Sequence, residues 1–345
     1  MKNLLVYCVL AIAMLSLTNC RKSPVNKGDT TTDVYVAGQE INAAGNGIAK
    51  YWKNGVAVNL TNGTYFAGAN AIVVNGGDVY VAGIESKAAG NDIAKYWKNG
   101  VAVNLTNGTY NAFASDIVVS GSDVYVAGYE NNAARYEIAK YWKNGVAVNL
   151  TDGTNYAQAW AMVVNGNDVF VAGHEINAAG YGVAKYWKNG VAVTLTNGTY
   201  NAQAFAIVLN GADVYVVGTE TNAAGKEIVK YWKNGVAVNL TDGTYSAQAS
   251  AIVVNGSDVY VAGYESNPAG NGIAKYWKNG VPVTLTDGTN DAGAFAIVVN
   301  GSDVYVVGYE TNAVGNRIAK YWKNGVAVTL TDGAHTATAT SIFIK

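Results

Sequence analysis

The hexapeptide Lys-Tyr-Trp-Lys-Asn-Gly begins at Lys50, Lys95, Lys140, Lys185, Lys230, Lys275 and Lys320, seven times at an unbroken spacing of 45 residues. Seven such periods fill the stretch from Thr31 to Lys345. A unit of this length cannot bury its apolar face alone. Its copies stack into a solenoid, a propeller or an array.

One period, read from Ala249 to Thr289, shows what is being stacked. The short apolar run Ala251–Val254 is followed by Asn255-Gly256-Ser257-Asp258, then by the β-branched and aromatic run Val259–Glu265. A polar loop leads to Ile273–Trp277, the turn Lys278-Asn279-Gly280, and Val281–Leu285. Asn and Gly accept the positive φ of tight hairpin turns, so each period encodes four strands, a to d, and no helix. The runs are apolar on both alternating faces, the pattern of a sheet covered on both sides. Pro282 lies in strand d; proline cannot donate to a ladder, which makes d an outermost edge.

The phase of the repeat bears on closure. The first copy opens at strand b, Asp33-Val34-Tyr35-Val36, and the last ends on strand a, Ser341-Ile342-Phe343-Ile344. A rod would leave both halves as open edges, whereas a ring lets the last strand complete the first blade. The expected fold is an all-β, seven-bladed β-propeller of four-stranded antiparallel blades over residues 33–345, with a β-solenoid as the alternative. The segment Asp258-Val259-Tyr260-Val261-Ala262-Gly263-Tyr264, followed by Ala274-Lys275-Tyr276, resembles the bacterial seven-bladed β-propeller repeat, with its Gly-Asn-x-Tyr-Val-x-Gly and Ala-Lys-Tyr pattern. The resemblance covers all seven periods and implies an extracytoplasmic bacterial protein.

Residues 1–19 stand outside the repeat. Lys2 precedes the uncharged run Leu4–Leu17, which has signal-peptide length and falls short of a spanning helix. Its end, Leu17-Thr18-Asn19-Cys20, resembles the lipobox of bacterial lipoproteins, with Asn19 where Gly, Ala or Ser is usual. This implies a signal peptide over 1–19, a lipidated Cys20, and a flexible tether over 20–32. Ordinary secretion is the alternative. With Cys8 removed and Cys20 acylated, no thiol chemistry remains. A formal net charge of −1, spread evenly, gives no basic stripe for nucleic acid. A lipid anchor is the expected membrane link, and a monomeric ring in the cell envelope is the expected state.

Each repeated residue has a constructional reading. The seven Trp (Trp52, Trp97, Trp142, Trp187, Trp232, Trp277, Trp322) are expected to fill gaps between blades. Glu40, Glu85, Glu130, Glu175, Glu220, Glu265 and Glu310 each face a strand-c lysine diagonally, because the b–c hairpin sets Glu40 near Ile48 and Lys50 beside it; such a pair is worth roughly 0.2–1 kcal/mol. Asp78, Asp123 and Asp168 are read as turn residues binding local backbone N–H groups. The two histidines, His174 and His335, cannot assemble a His-based triad or a His-rich metal site. No cofactor, metal or catalytic residue is expected.

Function is sought where the repeat fails. Variation gathers in the d–a and b–c loops, which strand alternation places on one face. The d–a loops supply Tyr65, Phe66, Tyr110, Tyr156, Tyr200, Tyr245, Asn290, Asp291 and His335. Shortly after come Asn70, Ser115, Trp160, Phe205, Ser250, Phe295 and Thr340. The b–c positions vary through Gln39, Ile84, Tyr129, His174, Thr219, Tyr264 and Tyr309. Aromatics mixed with small polar residues make an adaptable contact surface. The aromatic, acidic and histidine members, with Asn290, are the candidate ligand-binding residues. The expectation is a non-enzymatic scaffold binding a glycan or a protein, multivalently through quasi-equivalent pockets. A purely structural repeat domain is the alternative, and a carboxylate-based glycan-active enzyme comes third.

Overall fold

The computed structural model describes residues 32–88 and 90–345. The expected signal peptide, Cys20 and the tether up to residue 31 lie outside the described residues. From Asp33 the chain forms one compact unit of seven four-stranded antiparallel sheets.

Blade 2 shows the construction: strand a is Ala67–Asn75, b is Asp78–Ser86, c is Asp92–Lys98 and d is Val101–Asn104. Blades 3 to 7 repeat it in chain order. Blade 1 is composite, with Ala337–Ile344 as strand a beside Val34–Ile41, Gly47–Lys53 and Val56–Asn59. Its register runs from Val34 opposite Ile344 to Glu40 opposite Ala337. The innermost strands touch in sequence around a closed ring, blade 7 to blade 1 and blade 1 to blade 2 included. The molecule is a seven-bladed β-propeller whose ring the C-terminal strand closes.

The core lies between blades. Each junction buries Ala or Val and a tyrosine or phenylalanine of one blade against Ala, Ile or Met, Val and the strand-c Trp of the next. Tyr80, Ala82 and Ala94 meet Ile117, Val126 and Trp142 at junction 2/3, and Tyr305, Val307 and Ala319 meet Ile342, Val36 and Trp52 at junction 7/1. All seven repeated Trp are 1–2% exposed, as expected for side chains that fill diverging sheets.

Three local readings change. Strand a is nine residues long in blades 2–7, longer than its apolar run, because the ladder continues through polar residues such as Gln248. Strand d is covered on neither side: its first valines, such as Val56 at 69% and Val281 at 64%, face outward. It is the outer edge, Pro282 included, bonded only to strand c. The a–b turn aspartates bind the neighbouring hairpin and not their own backbone. Asp78 accepts from Asn99 Nδ2 at 2.8 Å and pairs with Lys98 at 2.9 Å, while Asn99 Oδ1 accepts from Val79 N. The Lys98 ammonium and Asn99 amide hold the Asp78 carboxyl below the usual carboxylate range. These turns form one face of the ring. The Asn99-Gly100 turn, with φ of 49° and 81°, is the left-handed pair that tight hairpins need.

The Glu–Lys ring forms as read, with Glu40 opposite Ile48 and bonded to Lys50. Lys140–Glu130 measures 2.7 Å and Lys185–Glu175 2.6 Å. The lysine side chains are only 6–15% exposed. Burial makes these pairs weightier than exposed cross-strand pairs, since removing the carboxylate strands an ammonium with little water around it.

Candidate functional site: the mouth of the central channel

The opposite face carries the d–a and b–c loops, joined by asparagines: Asn42 Nδ2 donates to Gly63 O at 3.0 Å, and Asn46 Nδ2 to Thr64 O at 3.1 Å. From this face each strand a descends along the central axis. At its fourth residue in every blade the ladder slips. Ala69 pairs with Gly83 and Ala71 with Ala82, leaving Asn70 unpaired as a bulge. The same slip leaves Trp160, Phe205, Ser250, Phe295 and Thr340 unpaired, as it does Ser115. The bulge presses a carbonyl against strand b: a Cβ on Gly83 would collide with the oxygen of Gly68, and one on Gly173 with that of Gln158. A glycine in the middle of strand b is thus required in every blade.

The unpaired residues point to one place. Asn70, Ser115, Trp160, Phe205, Ser250, Phe295 and Thr340, one from each blade, line a single cavity of about 420 Å³ together with Phe113, Gln248, Ala249 and Thr338. The irregular series is therefore the wall of the channel mouth.

The wall is uneven. Across junctions 1/2, 2/3 and 3/4 its polar members bond the next blade: Thr340 Oγ1 to Ala69 O at 2.8 Å, Asn70 Nδ2 to Ala114 O at 2.7 Å, and Ser115 Oγ to Ala159 O at 2.8 Å. Beside them Ile72 N donates to Ser341 Oγ at 3.3 Å, and Met162 N to Asp116 Oδ2 at 2.8 Å. Asp116 takes a second bond from Ile117 N, and burial pushes its carboxyl up to about 6. Blades 3 to 5 supply aromatic rings instead. Trp160 stands edge-on to Phe113 at 6.1 Å and to Tyr129 at 6.2 Å, with Phe205 at 6.4 Å, while Phe113 stacks on Tyr129 at 5.5 Å. Trp160 Nε1 is buried without a hydrogen-bond partner. The phenol of Tyr129 is pushed up to about 12, by burial first and then by Glu137 and Asp92.

The other candidates divide into three groups. Tyr65, Phe66, Tyr110, Tyr156, Tyr200 and Tyr245 are 37–44% exposed on the d–a loops, and His335 is exposed there too. Tyr129, His174, Tyr264 and Tyr309 are corrected from loop to strand b, opposite Phe113, Gln158, Gln248 and Gly293 of strand a. His174 is 5% exposed with Nδ1 unpartnered, and burial pushes its pKa down to about 4. The third group spans blades 6 and 7: Tyr309 Oη donates to Asp291 Oδ2 at 2.8 Å, Asp291 Oδ1 accepts from Gly272 N at 3.0 Å, and Arg317 lies 4.1 Å from the Tyr309 ring centre. Tyr309 also stacks on Phe295 at 5.7 Å, which links this group to the channel; Asn290 is half-buried next to it. Sequence reasoning missed Phe113 and Asp116. Phe113 occupies a variable 45-residue series with Gly68 and Gln158, and Asp116 stands where Ala71 and Ala161 do. Among the described residues no group of three His, Cys, Asp or Glu is placed to hold a metal ion.

No family model matches the chain, and no curated protein matches it. Among solved structures, an acylaminoacyl peptidase of Pyrococcus horikoshii superposes with a TM-score of 0.44 at 10% identity, over 78% of this chain and 53% of that one. A prolyl endopeptidase structure gives 0.50 at 13% identity, over 91% and 50%. The chain spans about half the length of these structures, and at such identity the likeness is one of fold alone.

Proposed function

We propose that the propeller is a non-enzymatic recognition scaffold of the bacterial envelope, held by a lipid on Cys20, and that it binds a glycan or protein through the loop face. The observation that carries this reading is convergence. Seven residues that break the repeat, spaced 45 apart, meet around one cavity, while the positions that repeat faithfully build blades. Drift alone has no reason to collect an aromatic cluster in three successive blades at an axial opening. Peptidase activity, named for both similar structures, finds no assembled group among the described residues: His174 is buried without a hydroxyl or carboxylate bonded to it, and His335 sits in a different blade.

Glycan-array binding and pull-down with the chain from Arg21 onward test the scaffold. A captured partner whose binding weakens when Trp160, Phe205 and Phe295 are replaced by Ala is the expected result. No partner in either experiment leaves the structural role standing. Labelling of Cys20 by a fatty-acid analogue, lost in Cys20→Ala, tests the anchor.

A further inference from the structure

We infer that the channel mouth is a single saccharide subsite, taking one neutral pyranose ring on the propeller axis. This rests on the recognition reading above and narrows it to a ligand class and a stoichiometry. Blade order decides the geometry. In a ring of seven, Trp160 of blade 4 and Phe205 of blade 5 stand across the axis from Thr340 of blade 1 and Asn70 of blade 2. Blades 3 to 5 thus give the cavity an aromatic platform, and blades 1, 2 and 6 give it hydroxyl and amide groups, with the Phe295 ring of blade 7 between them.

A pyranose ring has the same division: C–H groups crowd its faces and hydroxyls ring its edge. Asn70 spends its Nδ2 on Ala114 O, which locks the amide and leaves Oδ1 as an acceptor. Among the described residues, the side chains of Gln248 and Ser250 make no hydrogen bond within the protein and are free for ligand hydroxyls. No charged side chain lines the cavity, so the site selects a neutral molecule. An aromatic cage for a quaternary ammonium would want a carboxylate at hand; the carboxylate flanking the wall, Asp116, gives both oxygens to backbone N–H groups. The volume of about 420 Å³ falls in the lower part of the range of ~300–1,000 Å³ usual for small-molecule sites.

Preorganisation and number follow from the same residues. The indole is held by Phe113, Tyr129 and Phe205 before any ligand arrives, which lowers the ordering cost of binding. Only blade 4 carries a Trp at the bulge. One saccharide per ring is therefore expected, in place of seven equivalent weak sites.

The test is calorimetric titration of the full-length protein with methyl glycosides of glucose, galactose, mannose and N-acetylglucosamine and with their β-linked disaccharides. Tryptophan fluorescence is followed in parallel; the seven repeated Trp are 1–2% exposed, so a change reports Trp160. Saturable binding at one saccharide per chain is expected. Trp160→Ala should weaken it about tenfold, Trp160→Phe should keep it within about threefold, and Val56→Ala on the outward-facing strand d should leave it unchanged. The Phe variant retains the platform, so it separates lost contact from lost fold. Absence of binding across the panel, a stoichiometry near seven, indifference to Trp160→Ala, or displacement by tetramethylammonium overturns the inference. If saccharides fail while the loops still capture a partner through Tyr200, the saccharide site falls and the recognition reading stands; if nothing is captured, both fall.

Discussion

The two arcs of the channel mouth are built from the same repeat and held by different chemistry. In blades 1 to 3 the bulge residues are Thr340, Asn70 and Ser115, and each ties its blade to the carbonyl of the next. Ser341 and Asp116 add further bonds in the same arc. From blade 4 onward Trp160, Phe205, Ser250 and Phe295 occupy the equivalent positions; three of the four offer rings where the first arc offers donors. Junction cores are alike in both arcs. The difference teaches that hydrogen-bonded stitching at the axis is optional for ring closure. Where it is given up, a cluster of aromatic rings takes its place.

Removing what both arcs share should do the most damage. A chain stopped after Ala339 loses the part of the closing strand paired with Val34–Ala37 and opens blade 1; its melting temperature should fall by more than ~10 °C. A loss of only a few degrees would mean that closure contributes little. Next in size are Glu85→Gln in the stitched arc and Glu220→Gln in the aromatic arc. Each strands a buried lysine and should cost about 2 kcal/mol by denaturant titration. Equal costs would confirm that blade construction ignores the difference between the arcs; unequal costs would break the comparison.

An effect that reaches a similar size only at low pH belongs to the stitched arc alone. Asp116 has its carboxyl raised to about 6 in the folded protein from 3.8. The folded state then binds more protons between these values, and this residue's contribution falls as pH rises from about 4 to about 6 and stays flat above. Melting of the wild type and of Asp116→Ala should therefore diverge as the pH is lowered from 7 to 4, the wild type gaining up to about 2 kcal/mol on the variant. Parallel curves would refute the burial of that carboxylate. The smallest effect is set in the aromatic arc. Trp160→Phe removes a buried N–H without a partner and should leave stability unchanged or raise it by about 1 kcal/mol; a clear loss would show that the indole is bonded after all.

Much of this was legible beforehand. The period predicts the blades and its split phase predicts the closing strand, because an unpaired strand edge is costly wherever it lies. The register of a two-strand hairpin likewise predicts Glu40 against Lys50. The bulge was harder to read, since an extra residue leaves no mark on hydrophobic spacing when its flanks are alanines such as Ala69 and Ala71. Its mark lies on the neighbouring strand, in Gly83 and its counterparts, where a side chain would strike the displaced carbonyl. The placement of Tyr129 and His174 depended on where strand b stops. Polar and aromatic residues at its end read as loop until the opposing strand a is known to be nine residues long. The burial of the lysines was hidden for a related reason, as it is set by the blade next door.

Closure by a strand some three hundred residues from its partner has a consequence for assembly. Six blades can form as local hairpins, but strand b of blade 1 waits with an open edge while six other a strands, alike in sequence, are made. Any of them could be captured wrongly. The true partner differs in its aromatic pair: Phe343 lies opposite Tyr35, whereas the corresponding pairs elsewhere are Val73 with Tyr80 and Val118 with Tyr125. Pairs of either kind contribute a comparable ~0.2–1 kcal/mol. The short hairpins that join the other six a strands to their own b strands, with Asn75 opposite Asp78 for one, therefore do more to keep them from the open edge. In a chain of near-copies that local pairing sets the closing strand apart, so the count of blades is written in six short turns.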